Sequence, residues 1–223
     1  MEERELRETG DGSHTIFLPG WNEQYHSHHG AINEAVHVYI EAGLVHYAQL
    51  HGTRDIRVVE YGFGTGLNAW LTWQAAINND LHVHYTAIEA YPVEPEMVAQ
   101  LNFDALMPDF EQSVMDLHKV PWEESHRLDD HFTIEKQEIK FDAFRASKKY
   151  DVIYYDAFGP RVQPNLWTLE RMQLLHEVCH PGSVLTTYCA KGQVGRDMKT
   201  AGFSVERIPG PPRKREMIRA TAC

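Results

Sequence analysis

The chain has 223 residues, 43% hydrophobic and 24% charged, which is apolar material for one large domain or one domain with an appendage. No apolar run approaches the ~20 residues of a membrane helix. The charged stretch of residues 1–12 lacks the apolar core of a signal peptide. A formal net charge of −11 argues against a general polyanion binder.

Residues 6–18 hold a turn at 9–13 between two short segments, the second strand-like over 14–18, which predicts a small hairpin ahead of the main sheet. Residues 21–30 read as an exposed loop of polar and aromatic groups. His26, His28 and His29 stand there without the Cys, Asp or further His that a metal site needs, so the segment reads as a polar loop. Ile32, Ala35, Val36, Tyr39 and Ile40 recur at helical spacing, with Glu34 in the first turn and Gly43 as the stop. Hairpin and helix, residues 1–45, are expected to pack as an extension on a core domain of residues 46–223.

The β-branched run 56–59 predicts a buried parallel strand. Glu60 ends it, and Gly62, Gly64 and Gly66 lead into a helical pattern carried by Leu67, Trp70, Leu71 and Trp73. Glycines let the backbone turn sharply and approach a ligand without a Cβ in the way. The helix start beside them adds unpaired N–H groups. The spacing is not the dinucleotide fingerprint. An acidic residue leading three alternate glycines instead resembles the first motif of class I S-adenosylmethionine-dependent methyltransferases.

Residues 81–89 form a second strand, ending at Glu89 roughly 20 residues past the glycines, where a carboxylate can accept hydrogen bonds from both ribose hydroxyls of a nucleoside. Pro92 and Glu94 start a helix with Val93, Met97 and Leu101 inward. Residues 103–149 are acidic and the least legible, with a strand at 132–134 and the pair Glu138 and Asp142 expected in a loop. The strand 150–155 then runs into Asp156 and a Gly-Pro turn. This places a carboxylate in the crevice where open α/β sheets bind ligands, unless it only caps the turn. Leu166, Leu169, Met172, Leu175 and Cys179 trace a helix ended by residues 180–182. A strand at 183–188, a helix at 195–201 and two strands at 203–208 and 216–220 close the chain. Strands alternating with helices predict an α/β, doubly wound, mostly parallel sheet. The last two strands, joined by the stiff turn 209–212, make an antiparallel edge hairpin. The class I methyltransferase (Rossmann-like) sheet has that hairpin.

Charge is uneven along this order. Residues 191–223 carry eight basic and three acidic side chains, net +5, whereas residues 1–190 are net −16. A phosphate-binding surface is therefore sought near the C-terminus, where the same side chains read alternatively as a solvated face. Cys179, Cys189 and Cys223 are scattered without metal-ligand spacing, which fits reduced thiols and a cytoplasmic location.

Asp156-Ala-Phe-Gly-Pro160 with Gln163-Pro-Asn-Leu-Trp-Thr168, Thr187-Tyr-Cys-Ala-Lys-Gly192, Ala201-Gly-Phe203 and Pro209-Gly-Pro-Pro-Arg-Lys-Arg-Glu-Met217 resemble one methyltransferase family. Asp11-Gly-Ser-His-Thr15, Tyr25-His-Ser27 and Gly30-Ala31 extend the similarity to the front of the chain. The family is the stand-alone tRNA 5-aminomethyl-2-thiouridine methyltransferase of MnmD type, similar to the methyltransferase domain of MnmC. One departure is Arg213, where the family pattern leads us to expect glycine.

The resemblance implies S-adenosylmethionine as cofactor, tRNA as partner, no membrane, and methylation of the aminomethyl group on the wobble uridine. It also implies a separate enzyme that supplies the substrate, since no oxidase domain is present. By the same resemblance Gly62, Gly64, Gly66 and Asn68 surround the cofactor, Glu60 braces the loop, and Glu89 holds the ribose. Glu138 or Asp142 binds adenine. Asp156 serves the substrate amine as catalytic base or holds the cofactor's ammonium group. Tyr25 closes over the site, and Lys191, Arg213, Lys214 and Arg215 contact tRNA phosphates. Two other readings stand beside this one: an aminopropyltransferase acting on a polyamine, and a catalytically silent RNA-binding module of the same fold.

Overall fold

The computed structural model describes residues 3–223. An eight-stranded sheet runs in the order β10-β11-β9-β8-β4-β5-β7-β6. Its strands are β4 (Asp55–Tyr61), β5 (His82–Glu89), β6 (Ser125–Arg127), β7 (Phe132–Glu138), β8 (Tyr150–Tyr155), β9 (Cys179–Thr187), β10 (Phe203–Pro209) and β11 (Glu216–Ala222). The five strands from β9 to β7 are parallel. β11 lies antiparallel to both β9 and β10, which is the expected edge hairpin. Strand order reverses between β4 and β8, so their C-terminal ends open the crevice where such sheets take ligands.

Ahead of this sheet β1 (Glu5–Glu8) and β2 (His14–Leu18) form the expected hairpin, extended to three strands by the two-residue β3 (Glu23–Gln24). Residues 31–51 are helical throughout: α1 (Ala31–Ala35), a π-helical segment Val36–Val45 and α2 (His46–His51), ended by left-handed Gly52. Gly43 is therefore not the stop. A Cβ there would lie 3.1 Å from the Tyr154 ring and 3.4 Å from Val152, so glycine at this point lets the helix rest directly on β8. The wider winding keeps Tyr39 on the same face, its ring 5.1 Å from that of Tyr154.

α3 (Leu67–Asn78) packs beside this helical rod on one face of the sheet, while α7 (Leu169–Glu177) and α8 (Gly192–Ala201) cover the other. Two apolar clusters follow, one around Trp70, Leu44 and Tyr85 and one around Tyr155, Met172 and Ile218. The middle of the chain is broken into α4 (Pro95–Val98), α5 (Phe103–Leu106) and α6 (Val114–Lys119), each of one or two turns. The strand read at 132–134 runs on to Glu138, which therefore ends β7 instead of lying in a loop. Cys179 and residues 180–182 belong to an irregular start of β9, because α7 stops at Glu177 and the register against β8 shifts there. Among the described residues no helix is long and apolar enough to cross a membrane.

Gly43 gives the first test. Gly43→Val forces a branched side chain against Tyr154 and Val152. Chemical denaturation should show a loss of ~1–3 kcal/mol, the usual cost of overpacking.

Candidate active site

The crevice at the ends of β4, β5 and β8 is a cavity of about 1780 Å³. That exceeds the roughly 300–1,000 Å³ of a usual small-molecule pocket. Its floor comes from the strand ends. Gly62, with φ +104, follows β4, and a Cβ there would stand 2.7 Å from the Asp156 carbonyl oxygen. Only a residue without a side chain lets the two strand ends close this tightly. Gly62 donates to Ile88 O at 2.9 Å, and Asp156 donates from its backbone to Tyr61 O at 3.1 Å. The turn is thereby locked to both neighbouring strands.

Asn68, in the first turn of α3, joins the carboxylates of β4 and β8. Its Nδ2 donates to Glu60 Oε1 and to Asp156 Oδ2, both at 2.8 Å. Burial pushes the Asp156 carboxyl up to about 6, opposed by Tyr39 and Asn68, which favour the charged form. Tyr39 stands beside Asp156 without completing a hydrogen bond of good geometry. Burial also holds Glu60 well above the usual carboxylate range, and Glu60 Oε2 has no hydrogen-bond partner. Asp156 is thus mostly ionised at neutral pH and brings a negative charge to the cavity, while burial disfavours charge on Glu60.

Glu89 ends β5. Its Oε2 accepts from Gly64 N at 3.0 Å and its Oε1 from Tyr91 N at 2.9 Å. Each oxygen retains lone-pair capacity for a further donor. Tyr25 lies over the loop: a Cβ on Gly64 would be 3.0 Å from its ring, which also meets Phe158 edge-on at 5.2 Å. Loop 21–30 is for the most part half-buried, contrary to its reading as exposed, because His26 ties it down. Thr15 Oγ1 and Thr65 Oγ1 each lie 3.1 Å from a His26 ring nitrogen, and burial lowers that imidazole to about 4, so it stays neutral.

Of the residues singled out from the sequence, Tyr25, Gly62, Gly64, Asn68, Glu89, Glu138, Asp142, Asp156 and Lys214 line this one cavity. Glu60 is buried beneath it, and Gly66 begins α3. Lys191, Arg213 and Arg215 are exposed outside it. Arg213 has φ +67, the left-handed conformation that glycine adopts freely, which accounts for the glycine expected at this point. Glu34 and the hydroxyl of Tyr39 carry no local sequence motif, because both sit in an amphipathic helical pattern. Both line the cavity.

This architecture, with a glycine turn and acidic strand ends at the switch point, defines a class I methyltransferase. The chain belongs to the S-adenosyl-L-methionine-dependent methyltransferase family, whose model matches residues 98–222. It is 28% identical over 224 residues to the tRNA 5-methylaminomethyl-2-thiouridine biosynthesis bifunctional protein MnmC of Delftia acidovorans, covering 92% of this chain and 33% of that protein. The chain thus spans about a third of the length of the curated relatives it matches. The crystal structure of MnmC2 from Aquifex aeolicus superposes with a TM-score of 0.76 at 23% identity, over 99% of this chain and 71% of that one. Spermidine synthase from Thermotoga maritima shares the fold at a TM-score of 0.56 and 12% identity, over 100% of this chain and 69% of that one. The donor set fits the family's cofactor: three left-handed glycines expose backbone, and both Glu89 oxygens have spare acceptor capacity beside them.

Asp156 gives a test independent of catalysis. An acid whose folded pKa is raised from 3.8 to about 6 costs nothing below about pH 4 and destabilises progressively as pH rises through 6. Asp156→Asn removes that cost. Paired thermal melts should agree near pH 4, with the variant gaining up to ~3 kcal/mol by pH 8.

Proposed function

We propose that this methyltransferase acts on tRNA, converting 5-aminomethyl-(2-thio)uridine at the wobble position to its 5-methylaminomethyl form in the cytoplasm. The observation that carries the reading is similarity over 92% of the chain to a protein named for 5-methylaminomethyl-2-thiouridine biosynthesis. The cavity supports it, since its volume leaves room for a nucleotide beside a cofactor. A separate enzyme supplies the aminomethyl group. The polyamine reading rests on a likeness of fold at 12% identity, whereas relatives at 28% and 29% identity are named for tRNA 5-methylaminomethyl-2-thiouridine biosynthesis.

Bound S-adenosylmethionine supplies a methyl group already activated on a sulfonium. Gly62 and Gly64 bring backbone to the cofactor without side chains in the way, and Asn68 holds the floor beneath. Glu89 takes the ribose hydroxyls, and Glu138 or Asp142 takes the adenine amino group. The acceptor nitrogen needs a free lone pair, so one of its protons must leave. We assign that proton to Asp156, a reading supported by its being charged above about pH 6 and held by Asn68 in the cavity floor. Tyr25 and Phe158 form a lid that limits water at the reacting centre. Outside the cavity, the exposed Lys191, Arg213 and Arg215 provide phosphate contacts.

Single-turnover methylation of tRNA bearing 5-aminomethyluridine tests the reading directly. The rate should rise with pH as the amine loses its proton, and Asp156→Asn should lower it by ~10²–10⁴ with little change in cofactor affinity. Weak cofactor binding with a near-normal rate would move Asp156 from the acceptor to the cofactor. Neutralising Arg213 and Arg215 should raise the KM for tRNA and flatten its salt dependence by about one unit per lost phosphate contact.

A further inference from the structure

Lys214 points into the cavity, whereas its neighbours Arg213 and Arg215 remain outside. The left-handed backbone at Arg213, and the hydrogen bond from Lys214 N to Pro211 O at 2.9 Å, turn the chain so that one basic side chain goes inward. Its ammonium pairs with Glu34 Oε1 and lies 4.8 Å from the centroid of the Tyr188 ring. Glu34, only 12% exposed, is held from the other side, because its Oε2 accepts from Ser27 N at 2.9 Å. Tyr188 is fixed in turn by donating to Ala157 O at 2.8 Å, one residue beyond Asp156. All of these side chains line the same cavity as Asp156.

A buried carboxylate beside an aromatic face is the arrangement that holds an alkylammonium ion. The end of a lysine is a primary ammonium on a methylene. The 5-aminomethyl substituent of a uracil is the same chemical group. We propose that Glu34 and the Tyr188 ring form the subsite for the acceptor's aminomethyl group, and that Lys214 fills this subsite until the acceptor displaces it. The inference rests on the reading of the acceptor given above.

The exchange leaves the electrostatics of the floor unchanged, since one ammonium replaces another against Glu34. Asp156 feels both partners, Glu34 opposing its ionisation and Lys214 favouring it, so a cation in this place keeps Asp156 ready to accept a proton. Selectivity follows from the same charges. A hydroxymethyl group carries no cation for Glu34, and a carboxymethyl group would set one carboxylate against another.

The test compares two anticodon stem-loop RNAs, identical except for 5-aminomethyluridine or 5-hydroxymethyluridine at the wobble position. Their affinities for wild type, Glu34→Gln and Lys214→Met are measured by titration, and the ratio of the two cancels phosphate contacts. Wild type should prefer the aminomethyl RNA. Glu34→Gln should reduce that preference by roughly tenfold, the scale of a lost charge-assisted hydrogen bond. Lys214→Met should increase it, because the competing ammonium is gone. An unchanged ratio in either variant overturns the assignment, and should Glu34→Gln fail to fold, Lys214→Met decides alone. Binding requires no methyl transfer. Inactivity of wild type toward tRNA would therefore count against the proposed function, while the ratio still tests the subsite.

Discussion

Two carboxylates at the ends of adjacent parallel strands, joined by one amide, set the terms for the whole site. Glu60 and Asp156 end the neighbouring strands β4 and β8, and both are removed from water. Two ionised carboxylates at such a separation in a low-dielectric floor would repel strongly. Burial disfavours charge on Glu60, while Asn68 stabilises charge on Asp156. Asn68 is itself fixed through its helix, where Thr72 Oγ1 donates to Asn68 O at 2.7 Å. The glycine turn thus serves two ends: it exposes backbone to a ligand, and it lets α3 begin where its amide reaches both acids.

Much of this frame was legible in the sequence because its signals are local. The β-branched run before Glu60, the alternate glycines and the strand ends at Glu89 and Asp156 each occupy fewer than a dozen consecutive residues. The mostly parallel sheet followed from the alternation of elements, and the edge hairpin from two strands with no helix between them. What was not legible depends on partners far along the chain. Gly43 reads as a stop until β8 is seen beneath it. Lys136 interrupts the inward row of Phe132 and Ile134, yet it is 1% exposed. Its ammonium donates to His118 O at 3.3 Å and lies 4.7 Å from the Trp122 ring, a shell that no spacing rule announces. The helices of residues 103–119 are too short to show a period.

Net charge by segment proves a coarse guide to phosphate binding. Of the basic residues after position 190, Arg207 pairs with Glu216 at 2.7 Å and Arg219 with Glu206 at 2.9 Å across the edge hairpin, while Lys214 is turned inward to Glu34. Those pairs zip β10 to β11 on an exposed strand edge, where charged side chains also discourage pairing with other chains. The field that an RNA would meet is therefore carried by fewer side chains than the segment's +5 suggests.

The pocket is closed by residues from opposite ends of the chain. Glu34 and Tyr25 come from the segment before the glycine turn, and Lys214 from the turn that precedes the last strand. Their meeting needs the N-terminal sheet in place, and His26 holds it there by standing between Thr15 of β2 and Thr65 of the glycine turn. A neutral imidazole can donate from one ring nitrogen and accept at the other, which suits a link between two hydroxyl groups. Burial keeps this histidine neutral down to about pH 4, so the link survives wherever Asp156 is charged. Loosening that imidazole would free the loop bearing Tyr25 and the backbone N–H that steadies Glu34 together. The N-terminal segment is accordingly a structural wall of the side of the cavity that holds Glu34 and Tyr25.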